Sequence, residues 1–79
     1  MDRAAILEKV IEVVQDTLDV EEGTTLGDAT SFEDLGADSF DLLELVTALE
    51  DEFGLTFDDE ILQKIKTIGD AVDAIVDAQ

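Results

Sequence analysis

Apolar side chains recur along this chain at steps of three and four residues, in stretches separated by polar segments. In the first, Leu7, Ile11, Val14 and Leu18 mark a stripe that Ile6, Val10 and Val13 widen, while Glu8, Lys9, Glu12, Gln15 and Asp16 are polar. At 3.6 residues per turn such spacing puts the stripe on one face, so it predicts a helix over residues 3–18. The β-branched side chains would suit a strand, but period-two alternation is missing and the stretch is longer than a normal strand.

A second helix is expected from Ser39 to Phe53, closed by Gly54, a natural C-terminal stop. Leu42, Leu45, Val46, Leu49 and Phe53 form its core face, and Phe40, Leu43 and Thr47 form another. Glu44 and Asp51 share that second face, and Asp41 and Glu50 flank it. Burying those carboxylates would be costly, so the face is read as exposed and offered to a partner. At its start Asp38 is a good N-cap, and Asp41 can reach back to the Asp38 amide as in a capping box.

Beyond Leu55-Thr56-Phe57, Asp58 or Asp59 can cap a brief helix through Ile61, Leu62 and Ile65. Thr67 with Asp70 then matches a capping box, and Ile68, Ala71, Val72, Ile75 and Val76 continue a last helix to the C-terminus. Asp19 to Ala37 has no sustained period and reads as loop, long for a compact domain. Leu26, Phe32 and Leu35 are its expected anchors, and Ser31 with Asp34 is a candidate cap for a single turn. The fold class expected is all-α: a small four-helix bundle with three longer helices, one short helix and a long loop between helices one and two. Residues 1–79 form a single domain on this reading.

Charge changes the picture most. Against 22 Asp and Glu there are only four Lys and Arg, for a formal net charge of −18. Such a surface repels nucleic-acid phosphates and anionic headgroups and is drawn to basic protein surfaces. With no signal-like or membrane-spanning stretch, a cytoplasmic location and no membrane insertion are expected. There is no Cys and no His. The chain cannot build a Ser-His-Asp or Cys-His arrangement by itself, so it is not expected to be an enzyme.

Ser39 is the residue to which this pattern draws attention. It falls in the first turn of helix two, where unpaired amides and the positive end of the helix dipole favour an anion such as a phosphodiester. Gly36 and Ala37 put almost no bulk beside its hydroxyl, so a large partner can reach it.

The string Leu35-Gly36-Ala37-Asp38-Ser39-Phe40-Asp41, with Leu43-Glu44-Leu45, Leu49-Glu50 and Phe53, closely resembles the acyl carrier proteins of dissociated fatty-acid synthesis. The resemblance implies a serine, Ser39, to which a phosphopantetheinyl transferase attaches 4′-phosphopantetheine from coenzyme A in the presence of a divalent metal. The thiol of that covalent cofactor would carry acyl intermediates as thioesters between enzymes of fatty-acid biosynthesis. It also implies that Asp38, Asp41, Glu44, Glu50, Asp51 and Asp59 present carboxylates to basic patches on acyl-chain-processing enzymes, with Phe40 and Leu43 as the apolar contacts beside the serine. The chain would act as a monomer. Val46, Phe57, Ile65, Ile68 and Ala71 are candidate linings for a pocket that shelters the cargo. Phe40 in place of the usual leucine, Thr47 where an exposed apolar residue is frequent, and the absence of a proline before helix three depart from the common pattern and bear on partner preference.

Two other readings stand beside it: a carrier for a polyketide or specialised acyl-transfer pathway, and an unmodified acidic interaction module that binds basic protein surfaces. A calcium-binding module is disfavoured, because no segment has the ligand spacing of an EF-hand loop, and no metal site is expected. Repulsion among so many carboxylates opposes compaction, so millimolar Mg²⁺ or raised salt should increase the melting temperature. Thermal unfolding with and without added salt checks this; an unchanged or lowered midpoint would show the charges to be compensated within the fold.

Overall fold

The computed structural model describes residues 2–20 and 24–78. The four expected helices are present, as α1 (Arg3–Leu18), α2 (Ser39–Phe53), α3 (Asp59–Lys64) and α4 (Ile68–Ala78). Helix α3 stops one residue short of the expected Ile65, which turns to extended backbone as its C-cap. Part of the expected loop, residues 21–23, and the expected end of the last helix at Gln79 lie outside the described residues.

Each boundary has a local cause. Asp2 caps α1 by accepting the Ala5 amide at 2.9 Å, and Asp58 caps α3 by accepting the Ile61 amide at 3.0 Å. At α4 the Thr67 hydroxyl accepts the Asp70 amide at 3.1 Å while the Asp70 carboxylate accepts the Thr67 amide at 3.2 Å, a reciprocal box. Gly54 ends α2 in the left-handed conformation at φ 68°, which costs a glycine little. Asp19 ends α1 in the same region at φ 51°, a conformation that Asp tolerates better than most residues with a Cβ.

The stripes read from the sequence become the core. Ile6, Val10 and Val14 of α1 face Leu45, Val46 and Leu49 of α2 and Ile68, Ala71, Val72 and Ile75 of α4, all of them buried. Helix α1 packs against both α2 and α4. Helix α3 has no buried residue; Ile61 and Leu62 are only partly covered, so α3 is the least anchored wall of the bundle. Among the described residues no polar or charged side chain is buried, which leaves the carboxylates in water, where their charge costs least.

The loop before α2 is sewn to the start of α4. The Phe32 amide donates to the Lys66 carbonyl at 3.0 Å, the Ile68 amide to the Thr30 carbonyl at 2.9 Å and the Gly69 amide to the Asp28 carbonyl at 2.9 Å. Phe32 is buried, and Leu26 and Leu35 pack against the core, so the expected anchors hold. The expected cap differs in partner: the Ser31 hydroxyl accepts from the Glu33 amide at 3.2 Å, two residues on, and not from Asp34. The seam also needs a glycine. A Cβ at Gly69 would lie 2.8 Å from the Asp28 carbonyl oxygen.

Among the described residues two ion-pair groups cross the bundle. Arg3 joins Asp28 at 2.7 Å and Asp73 at 3.1 Å, tying α1, the loop and α4. Lys9 joins Glu52 at 2.7 Å between α1 and α2. The hydrogen bond from Arg3 holds the Asp28 carboxyl below its ordinary range. A lowered folded-state value gives stability that is present at neutral pH and fades as the pH falls through the acid range below about 4.

Two substitutions test the seam. Phe32→Ala should cost roughly 3 kcal/mol or more, as for other buried aromatics. Gly69→Ala should cost about 1 to 3 kcal/mol, because the added methyl meets backbone that cannot rotate away. Denaturant unfolding measures both, and near-wild-type midpoints would mean that the loop does not bear on the core in this way.

Candidate functional site

Ser39 opens α2 and is exposed. The capping role at this helix end belongs to its neighbour. Asp38 accepts the Asp41 amide at 2.9 Å, and Asp41 returns to the Asp38 amide at 3.4 Å, completing the expected box. The Ser39 hydroxyl is therefore not spent on holding the helix end. The first intrahelical bond runs from the Leu42 amide to the Asp38 carbonyl, at 2.9 Å. With the Asp41 amide also taken, the amides of Ser39 and Phe40 are the helix-end donors left for a ligand or water.

The approach to the hydroxyl is open. A tight turn precedes it, with the Leu35 and Ala37 amides both donating to the Phe32 carbonyl at 3.1 Å. Gly36 closes this turn at φ 80°, in the left-handed region that a side chain would strain, and nothing stands within 4 Å of where its Cβ would be.

Two grooves meet at Ser39. One, of about 220 Å³, is walled by Leu42, Leu43, Val46, Leu62 and Gln63 between α2 and α3, and it is mainly apolar. The other, of about 470 Å³, runs toward the start of α4 along Ser31, Phe32, Glu33, Ala37, Asp38, Leu42 and Lys66. Of the expected pocket residues, Val46 lines the apolar groove. Ile65 lines a separate cavity between α3 and α4. Phe57, Ile68 and Ala71 are closed core and line none of these three cavities. Leu42, Leu62 and Gln63 were missed, because α3's position beside α2 is a tertiary fact without a local sequence signal.

The second face of α2 is exposed as read from the sequence. Phe40 is 73% and Leu43 56% exposed, and the two lie near each other beside the serine. Glu44 and Asp51 are exposed on α2, and Asp59 is exposed at the start of α3. The other three carboxylates have local duties. Asp38 and Asp41 hold the cap, and half-buried Glu50 accepts the Phe57 amide at 2.7 Å, fixing the segment that leads into α3.

This geometry suits a phosphodiester. It has an unspent primary hydroxyl, two free amides at a helix N-terminus and open space on two sides. Among the described residues no cluster of His, Cys, Asp or Glu could hold a metal ion. No helix there is long and apolar enough to cross a membrane.

Comparison with known proteins points the same way. The family model for the phosphopantetheine attachment site matches residues 8–75. The acyl carrier protein of Rubrobacter xylanophilus is 46% identical over 79 residues, covering 100% of this chain and 98% of that one. That of Petrotoga mobilis is 45% identical over 75 residues, covering 95% and 88%. Among solved structures, the acyl carrier protein of Thermotoga maritima aligns with a TM-score of 0.82 at 31% identity, over 99% of this chain and 91% of that one. The acyl carrier protein of Enterococcus faecalis aligns at 0.79 and 40% identity, over 100% of both.

Proposed function

Since the chain belongs to the acyl carrier protein family and is a carrier, not a catalyst, we propose that Ser39 is its point of phosphopantetheine attachment and that the protein shuttles acyl intermediates between the enzymes of fatty-acid biosynthesis. The observation that carries this is the division of labour at the start of α2: Asp38 caps, and Ser39 is exposed beside it with its hydroxyl unspent.

The chain's own part in the attachment is small. The Ser39 oxygen forms the new bond to phosphorus as the diphosphate of coenzyme A is cleaved and the adenosine bisphosphate departs. On this reading the hydroxyl proton leaves to a base on the transferase. The free amides of Ser39 and Phe40 and the helix dipole then favour the phosphodiester, by about 0.3 to 1 kcal/mol for an exposed charge. When bound, the cofactor supplies a terminal thiol that holds the cargo as a thioester.

The exposed face of α2 serves docking. Phe40 and Leu43 offer apolar contact beside the serine, and Glu44, Asp51 and Asp59 steer basic enzyme surfaces toward them. Surface charges of this kind raise association rates more than lasting affinity, which suits a shuttle that must release each enzyme. Asp38, Asp41 and Glu50 add charge to the same surface while fixing its shape. The apolar groove of Leu42, Leu43, Val46 and Leu62 is the place for an acyl chain, and α3, with no buried residue, is the wall that can move to admit it. Residues 1–79 act as one carrier unit, a cytoplasmic monomer, on this reading.

Intact mass after incubation with coenzyme A, Mg²⁺ and a broad-specificity phosphopantetheinyl transferase tests the attachment. The wild-type protein should gain one phosphopantetheine group and Ser39→Ala none. A folded wild-type protein that gains nothing from an active enzyme would reduce Ser39 to an ordinary first-turn residue and favour an unmodified interaction module. Extension of the loaded protein by reconstituted elongation enzymes checks the fatty-acid role.

A further inference from the structure

Cations are scarce in this chain, and the placing of each one is informative. Arg3 is paired with Asp28 and Asp73, and Lys9 with Glu52. Lys64 lines the cavity between α3 and α4, in the company of Asp70, Asp73 and Asp77. Lys66 makes no ion pair among the described residues, although Glu33 and Asp38 line the same groove. Ser39 lines that groove too.

The backbone of Lys66 is fixed on both sides. Its amide donates to Asp70 at 3.1 Å, and its carbonyl accepts the Phe32 amide at 3.0 Å. Its long stem therefore starts from a set point on the groove wall, and its side chain is exposed to whatever enters. A phosphodiester on Ser39 would bring a permanent negative charge to a corner that already holds Asp38 and Asp41, with Glu33 further along the groove. Like charges at such range repel, and a single cation on the facing wall offsets them.

We propose that Lys66 is a binding residue for the phosphodiester carried by Ser39, an inference that rests on the attachment reading above. With the amides of Ser39 and Phe40 it completes a three-donor site where this groove passes Ser39. The phosphate is held on the α4 side of Ser39, which leaves the apolar groove on the α3 side clear for cargo. Lys66 is a positioning residue in this role: it orients the root of the arm and takes no part in chemistry.

The test is NMR of the protein before and after modification, with Lys64 as the internal control. Attachment should move the side-chain methylene signals next to the Lys66 ammonium roughly threefold further than those of Lys64, with the difference shrinking at high salt as the charges are screened. In modified Lys66→Gln, which keeps the backbone bonds, the ³¹P line should narrow and shift relative to wild type as the phosphate gains freedom. A protein that gains the mass while Lys66 and Lys64 respond alike, or whose ³¹P line ignores the substitution, overturns this inference alone. A protein that gains no mass at Ser39 overturns the attachment reading and this inference with it.

Discussion

The position of Ser39 depends on the seam where the loop crosses the start of α4. Three backbone hydrogen bonds, from Phe32, Ile68 and Gly69, join the two segments, and the buried ring of Phe32 pins the loop from beneath. Six residues after Phe32, beyond the turn through Gly36, the chain reaches Asp38, whose cap begins α2. Without the seam, the cap would still start a helix and α1 would still hold its body, but the loop would no longer fix the start of that helix beside Lys66.

The acidic composition divides into two kinds of carboxylate. Asp2, Asp38 and Asp58 cap helices, Asp70 completes the box at α4, Asp28, Asp73 and Glu52 meet the few cations that cross the bundle, and Glu50 braces the approach to α3. Glu44, Asp51 and Asp59 are exposed and appear in none of those cap, brace or ion-pair contacts. A docking surface can be built this way because surface charge costs little in water while each cap contributes about 1 kcal/mol to its helix. Shape and steering thus come from the same residue types at different positions.

The helices were legible in the sequence because their ends carry local signals: Asp38 with Asp41, Thr67 with Asp70, and Gly54 as a stop. The exposed face of α2 was legible too, since Phe40 and Leu43 fall off the core stripe at helical spacing. What was not legible is long-range. Backbone bonds of the seam leave no mark on residue type except at Gly69, whose need for space is visible only once the Asp28 carbonyl stands over it. The bond from the Phe57 amide to Glu50 spans a turn and a helix end, so the bracing role of Glu50 had no local signal. For the same reason only Val46 of the expected pocket residues lines the apolar groove, whose other walls include Leu42, Leu62 and Gln63.

Amide hydrogen exchange tests the central claim, that the seam holds the site in place. The Phe32, Ile68 and Gly69 amides should exchange as slowly as those of Val10 and Val14 in α1, opening only when the whole bundle unfolds. Exchange as fast as at the amides of the exposed residues Thr24 and Thr25 would contradict the account, because the loop would then open on its own and could not fix Ser39 between its two grooves.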